Sequence, residues 1–132
     1  MTEQRVAIRS DLDIVTARVR GRDLARAMGF GVIDQARVAT AISELARNVV
    51  LYAGEGEMVL RRVEERGRVG LEVVCADAGP GIPDVGMALR DGYSTSKGLG
   101  MGLPGTKRLM DEFAIETAPG QGTRITIRKW LR

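Results

Sequence analysis

The stretch from Asp77 to Gly105 is the feature that most limits what this chain can fold into. It holds eight of the 17 glycines and three of the four prolines. Both residue types disfavour the interior of helices and strands, so the stretch predicts an irregular connection. A connection of this length inside a compact domain is typical of a lid or a binding loop. The chain is therefore expected to form regular structure on both sides of one long functional loop.

The spacing of apolar residues predicts helices and strands on both sides of this loop. Before it, the patterns predict a strand around Val6 and Ile8, a helix from Ser10 or Asp11 to Gly29, a helix from Asp34 to about Tyr52, and strands Met58 to Val63 and Val69 to Ala76. After it, they predict a helix from Leu103 to about Glu112 and a hairpin of Phe113 to Thr117 and Thr123 to Trp130. The predicted fold class is α/β (α+β), a two-layer sandwich. In it, a mixed or antiparallel sheet is covered on one face by helices, in a single domain spanning residues 1–132.

The first helix is expected to have an apolar face and an exposed face rich in arginine. The apolar positions at helical spacing are assigned to Ile14, Val15, Val19, Leu24, Ala27 and Met28. The arginines are a candidate partner surface, although a solvated helix face is the more common explanation.

Composition excludes several classes of function. The chain has no histidine, which removes Ser-His-Asp and Cys-His catalysis, a phosphorylated histidine and most zinc sites. Its single cysteine, Cys75, excludes an internal disulfide and is expected in the core. A net charge of +3 with dispersed arginines does not predict nucleic-acid binding. No apolar run matches a membrane span and no secretory signal pattern is present, so a cytoplasmic protein without membrane contacts is expected.

The second helix carries a pair of polar residues that could do chemistry. Glu44 and Asn48 are four residues apart, so they lie on one side of the helix, away from the buried stripe of Val38, Ile42, Leu45 and Val49. A carboxylate at this position could polarise a nucleophile, and an amide oxygen could bind Mg²⁺. Taken alone, this helix favours the simpler explanation of a solvated face.

Asp77, Gly79 and Gly81 form a second candidate site, at the end of an apolar strand. A carboxylate there can accept a hydrogen bond from an amino group such as that of adenine, and the glycines allow backbone to approach a flat ligand closely. A plain Asp-Gly turn explains the same residues equally well.

The segment Lys97 to Gly105 predicts a phosphate site, because glycines with free N–H groups precede a helix that begins at Leu103. It also matches the dinucleotide fingerprint and a P-loop with its last two residues transposed. Both interpretations fail, because no apolar strand precedes the segment. An ordinary surface loop would not need five glycines between residues 92 and 105.

The last candidate segment is Gly120 to Thr123, which by itself favours a simple hairpin turn. Thr123 begins the final strand, so it could still hydrogen-bond, through water, to a ligand held by Asp77.

Taken in order, these four segments resemble the nucleotide-binding blocks of the GHKL superfamily, which comprises gyrase, heat-shock chaperone, histidine kinase and mismatch-repair ATPases. Glu44-Leu-Ala-Arg-Asn48 is similar to the N box of that superfamily. The three glycine blocks have counterparts in Asp77-x-Gly79-x-Gly81, Gly98-x-Gly100-x-Gly102 and Gly120-x-Gly122-Thr123. The resemblance implies a Bergerat-type ATP-binding fold.

Within this superfamily, the chain resembles the RsbT-type switch-protein serine kinases of stressosomes over nearly its whole length. The residues that carry this resemblance are Asp34 to Asn48, Asp91 to Ser96, Gly98 to Gly105 and Lys107 to Phe113. It departs from the anti-sigma branch, because Val49-Val50-Leu51-Tyr52 follows Asn48 in place of a basic-aromatic stretch and the lid offers Lys97. Direct binding to a sigma factor is therefore less favoured.

The resemblance implies a role for each block. Asp77, supported by Thr123, would bind the adenine of ATP or ADP beside Gly79, Gly81 and Gly122, and Asn48 would hold Mg²⁺. Lys97, Gly98, Gly100, Gly102 and the helix start at Leu103 would contact the phosphates. Glu44 would polarise the serine or threonine hydroxyl that attacks.

The resemblance also implies partners. The substrates would be STAS-domain proteins, namely a small antagonist and a larger stressosome scaffold. The released kinase would activate a downstream effector such as a phosphatase. The alternatives are an anti-sigma factor and a binding switch that responds to nucleotide without catalysis.

Overall fold

The computed structural model describes residues 3–81 and 102–132, which form five strands and three helices around one core. In chain order the elements are β1 (Gln4–Ile8), α1 (Asp11–Met28), α2 (Val32–Asn48) with a π-helical turn (Val49–Ala53), β2 (Gly56–Glu65), β3 (Arg68–Asp77), α3 (Gly102–Leu109), β4 (Glu112–Thr117) and β5 (Thr123–Trp130). No helix within the described residues is long and apolar enough to cross a membrane.

The five strands form one sheet in the order β1-β2-β3-β5-β4, and every neighbouring pair is antiparallel. Side chains alternate between the two faces of a strand, so one face of the sheet collects the apolar residues that pack under the helices. These are Val6, Ile8, Met58, Leu60, Leu71, Val73, Cys75, Ile125 and Ile127. The expected two-layer sandwich is confirmed, and its sheet is antiparallel.

Helix α2 lies at the centre of the helical layer. Its predicted stripe of Val38, Ile42, Leu45 and Val49 is buried, with 0–3% of each residue exposed. The helix begins two residues earlier than predicted, and regular α-helix ends at Asn48. The chain then forms a π-helical turn, which ends at Gly54 with a positive φ of 87°.

Helix α1 buries only part of the predicted apolar set. Ile14 and Leu24 are buried as predicted, whereas Val15 and Val19 are 42% and 49% exposed and Ala27 is also exposed. Ala17, Gly21 and Ala25 complete the buried face. The physical reason is close contact with α2, since a Cβ at Gly21 would overlap the Cδ1 atom of Ile42. Small residues therefore decide which face of α1 turns inward.

Helix α3 is shorter than predicted, ending at Leu109. Lys129, which is 5% exposed, donates a hydrogen bond of 2.8 Å from Nζ to the carbonyl oxygen of Leu109. This satisfies one of the carbonyls left free at a helix C-terminus. The chain then enters β4 at Glu112.

An ion-pair network around Glu72 lies on the sheet face opposite the helices. Arg61 Nε and Arg128 Nε donate to its two carboxylate oxygens over 2.6 Å and 2.8 Å, and Glu72 is 2% exposed. Burial alone would raise the pKa of Glu72. The hydrogen bonds and charges of the two arginines outweigh burial, so its pKa is lowered from its ordinary value of 4.5.

Cys75 lies in the core, as predicted. Burial, with a smaller contribution from the charge of Asp77, raises the pKa of its thiol to about 12. A thiol in this state is a packing residue rather than a nucleophile.

Candidate nucleotide-binding site

The ends of β3 and β5 place Asp77 beside Thr123. The two residues are register partners in the sheet and lie on its helix-covered face, in line with Cys75 and Ile125. The hydroxyl oxygens of Thr123 and Thr117 are 2.9 Å apart, and Asp77 Oδ1 accepts a hydrogen bond of 2.9 Å from the N–H of Gly79. The structure thus brings the two residues proposed to recognise adenine to neighbouring positions.

An open cleft of about 490 Å³ lies at this end of the sheet. Its lining includes Asp77, Thr117, Gly122 and Thr123. This volume falls within the usual range for small-molecule sites.

The glycines of the first and third blocks pack backbone against backbone. Gly81 and Gly122 have φ values of +78° and +79°. A Cβ at Gly81 would overlap the carbonyl oxygen of Ala118, and one at Gly122 would overlap that of Asp77. The sequence suggested that these glycines admit a ligand, and the structure adds that they join the two blocks. Their contact with a nucleotide stays a prediction.

The π-helical turn is part of the same corner. A Cβ at Gly79 would lie 2.6 Å from Ala53 Cβ, so the turn and the first glycine block are in close contact. Insertions of this type in α-helices are frequent at functional sites. Asn48 ends the α-helix immediately before this turn.

Glu44 is buried, with 6% of the residue exposed. Its Oε1 accepts a hydrogen bond of 3.0 Å from the N–H of Gly102, the first residue of α3, and its Oε2 accepts one of 2.9 Å from Arg47 Nη1. The explanation of a solvated helix face is therefore wrong for Glu44. A carboxylate at this point is stabilised by the N-terminal dipole of α3.

The helix that follows the second glycine block begins at Gly102, one residue earlier than predicted, with a φ of 62°. The side chain of Leu103 belongs to the core, so only its backbone N–H can serve a phosphate. Lys97, Gly98 and Gly100 lie outside the described residues.

Asn48 is half-buried one turn beyond Glu44, and its side chain has no hydrogen bond to another described residue. The described residues contain no group of three or more Asp, Glu, Cys or His that could hold a metal. An amide oxygen completed by phosphate oxygens and water fits the way Mg²⁺ binds beside nucleotides.

Two residues that contribute to this region were not identified from the sequence. Arg47 pairs with Glu44, and its spacing of three residues on a helix was a usable signal. Thr117 bonds Thr123 and also donates to the carbonyl oxygen of Gly122 over 3.0 Å. The positions of Thr117 and Thr123, at the two inner ends of the predicted final hairpin, could have indicated that they meet.

Comparison with known proteins identifies the class. Residues 33–132 match the family model described as "Histidine kinase-, DNA gyrase B-, and HSP90-like ATPase". The chain therefore belongs to this ATPase family, which is the GHKL superfamily that the sequence motifs resembled.

Solved structures also share the fold, among them two from histidine kinases. A histidine kinase domain from Erythrobacter litoralis has a TM-score of 0.57 and 19% identity over 90% of this chain and 59% of its own. The catalytic domain of histidine kinase ThkA has a TM-score of 0.53 and 15% identity over 98% and 95%.

The relatives in sequence identify the members of this ATPase family that the chain resembles in sequence and in length, namely the switch-protein kinases. The chain is 55% identical to the serine/threonine-protein kinase RsbT of Bacillus subtilis, over 96% of each chain. It is 31% identical to an anti-sigma F factor of Caldanaerobacter subterraneus, over 73% of this chain and 70% of that protein. The resemblance to the RsbT-type kinases is confirmed, and with it the enzyme class of protein serine/threonine kinase.

Proposed function

We propose that this kinase transfers phosphate from ATP to a serine or threonine of STAS-domain partners. These are a small antagonist and a stressosome scaffold within a partner-switching stress response. The released kinase then activates an effector such as a phosphatase. Residues 1–132 act as one domain in this scheme, in the cytoplasm. The observation that carries the proposal is the position of Glu44. This buried carboxylate of α2 accepts a hydrogen bond from the N–H of Gly102, the first residue of α3, which belongs to the predicted phosphate segment.

The chemistry assigned to the chain's own residues is positioning and proton transfer. Asp77 accepts the hydrogen bond from the adenine amino group, with Thr123 beside it. The N–H groups at the start of α3 bind phosphate oxygens. The substrate hydroxyl oxygen bonds to the terminal phosphorus of ATP, the bond from that phosphorus to the ADP oxygen breaks, and the hydroxyl proton passes to Glu44.

Mg²⁺, when bound, neutralises the developing charge on the phosphates. Asn48 is the side chain proposed to hold it, with the remaining ligands supplied by phosphate and water. Lys97, Gly98 and Gly100 stay predicted phosphate contacts.

The test is phosphotransfer to candidate STAS proteins in the presence of Mg-ATP, with the phosphosite mapped by mass spectrometry. Asp77→Asn should lose nucleotide binding while keeping the fold, because an asparagine oxygen can still accept the hydrogen bond from Gly79. The matched control is Asp23→Asn, an exposed carboxylate on α1. An Asp77→Asn variant that transfers phosphate normally would place the adenine contact elsewhere.

A second candidate function is direct binding of a sigma factor. It is favoured by the 31% identity to an anti-sigma F factor. It predicts a stable complex with a sigma factor that forms without any STAS protein. Phosphorylation of a STAS protein together with no sigma-factor complex would exclude it.

A further inference from the structure

Both oxygens of the Glu44 carboxylate are engaged by donors in the structure. Oε1 accepts from the N–H of Gly102 over 3.0 Å, and Oε2 accepts from Arg47 Nη1 over 2.9 Å. The side chain of Glu44 is only 8% exposed, so little of the carboxylate is open to another molecule. Accepting a proton would end the ion pair with Arg47, so this pair opposes the proposed work of a base. Glu44 must therefore lose one of these partners before it can act.

Arg47 is the partner that can leave. The N–H of Gly102 is fixed by the backbone at the start of α3, where the side chain of the next residue, Leu103, belongs to the core. The side chain of Arg47 is long and flexible and is 36% exposed. Its contact with Glu44 is its only side-chain hydrogen bond or ion pair within the part of the chain that the structure describes. Partly exposed pairs of this kind are weak, so a stronger anion can replace the carboxylate.

The proposed reaction brings such an anion beside Arg47. Glu44 polarises the hydroxyl that attacks the terminal phosphorus of ATP, so this phosphate has to lie next to Glu44. Because Arg47 already contacts Glu44, the terminal phosphate lies within reach of its guanidinium. A phosphate group carries more negative charge than a carboxylate and offers a pair of oxygens for a two-point contact with a guanidinium. ADP ends one phosphate earlier and lacks this group.

We propose that Arg47 exchanges Glu44 for the terminal phosphate when ATP binds, and so couples ATP binding to release of the base. This inference rests on the proposed role of Glu44. In the empty or ADP-bound protein, Arg47 stays on Glu44 and holds the base back. With ATP bound, Oε2 is free to take the proton of the substrate hydroxyl. The hydroxyl oxygen then bonds to the terminal phosphorus and the bond from that phosphorus to the ADP oxygen breaks.

The first experiment compares two nucleotides that differ in the terminal phosphate. Isothermal titration calorimetry of the full chain measures binding of Mg-ADP and of a non-hydrolysable ATP analogue with Mg²⁺. Arg47→Met keeps most of the apolar stem and removes the guanidinium. It should weaken binding of the analogue at least about tenfold, since a charge-assisted contact is lost, and change binding of ADP by less than about threefold.

The matched control is Arg37→Met, on the same helix. Arg37 pairs with Asp34, three residues before it, over 3.0 Å, as Arg47 pairs with Glu44. The control removes an ion pair of the same spacing away from the candidate site, so it should bind both nucleotides as wild type does. Thermal unfolding of each variant verifies the fold.

The second experiment adds Glu44→Gln to the wild-type and Arg47→Met backgrounds and tests the exchange directly. If Arg47 leaves Glu44 for the phosphate, Glu44→Gln should tighten binding of the analogue more in the wild-type background, because only there does binding have to break an ion pair. If Arg47 stays on Glu44, the order reverses. The arginine then screens the carboxylate, and Arg47→Met exposes its repulsion of the phosphate.

Three results overturn the proposal. They are the reversed order in this cycle, equal losses of ADP and analogue binding in Arg47→Met, and no loss of either. These measurements require no protein substrate. Failure of the proposed function would instead appear as absent phosphotransfer to STAS proteins, with the difference between the two nucleotides unchanged. Wild-type protein that binds neither nucleotide would overturn both.

Discussion

Replacement of Glu44 by glutamine separates the catalytic role of this residue from its structural one. The carboxylate accepts hydrogen bonds from Gly102 N–H and Arg47 Nη1 over 3.0 Å and 2.9 Å. Glutamine has the same size and keeps an oxygen for Gly102. It loses the negative charge, and with it the ion pair to Arg47 and the ability to accept a proton.

Glu44→Gln should lower the free energy of unfolding only slightly, because the ion pair between Glu44 and Arg47 is partly open to solvent. The side chain of Arg47 is 36% exposed. Pairs of this type at a spacing of three residues contribute about 0.3–0.5 kcal/mol. With a weaker hydrogen bond to Gly102 the total is about 1 kcal/mol, which lowers the Tm of a domain this size by several degrees.

The same substitution should reduce the rate of phosphotransfer by a much larger free energy. Removing a general base slows transfer by about 10²–10⁴-fold, equivalent to about 3–5 kcal/mol in the transition state. Nucleotide affinity should be kept or increased, since a negative charge near the proposed phosphate site is removed. The assay is the initial rate of phosphotransfer at saturating Mg-ATP, with equilibrium nucleotide binding measured in parallel.

The control is Glu64→Gln, which removes an exposed carboxylate paired with an arginine over 2.8 Å and should leave the transfer rate unchanged. Two results would refute the reasoning. One is a Glu44→Gln variant whose rate stays within about threefold of wild type, far below the loss expected for a general base. The other is an equal loss of nucleotide binding and transfer, which would mean that Glu44 acts only by holding the first residue of α3 in place.

Two further predictions concern stability. Glu72→Gln should lower the free energy of unfolding by about 1–3 kcal/mol at neutral pH, since two arginines lose their buried partner. Because the folded-state pKa of Glu72 is lowered, its contribution is present above its unfolded-state pKa and is lost as pH falls through the folded value. Urea unfolding should therefore show the variant and wild type converging below pH 4.5, and a constant difference would contradict this. Gly122→Ala should destabilise more than Gly120→Ala by calorimetry, and only Gly122→Ala should also weaken nucleotide binding. Gly120 and Gly122 have similar φ values of 76° and 79°, but only a Cβ at Gly122 meets backbone atoms. Equal effects would mean that backbone strain alone matters.

Local sequence signals identified most of the regular structure. The strands of the β2–β3 hairpin follow from their apolar patterns. The structure joins them by a turn in which Arg66 and Gly67 both adopt positive φ, at 53° and 79°. The stripe of α2 follows from helical periodicity. The order and direction of the strands involve residues far apart in the chain, so the sequence left the sheet mixed or antiparallel.

The candidate site was found from the sequence only as a set of residue types in order. Periodicity places Glu44 on a polar side of α2, and by itself that position indicates solvent. Its burial depends on α3, whose first residue is 58 positions away in the sequence and donates to its carboxylate. The proximity of Asp77 and Thr123 likewise depends on the pairing of β3 with β5.

The sequence by itself therefore determined the elements, the glycine blocks and the class of chemistry, because these depend on residue types at short spacing. Only the tertiary structure decided which faces turn inward. Helix α1 has two apolar stripes, one that includes Ile14 and Leu24 and one that includes Val15 and Val19, and both were assigned to a single face from the sequence. Gly21 allows close approach to Ile42, so the stripe with the smaller residues is buried and Val15 and Val19 remain in solvent. Contact between helices, rather than hydrophobicity along one helix, settles that choice.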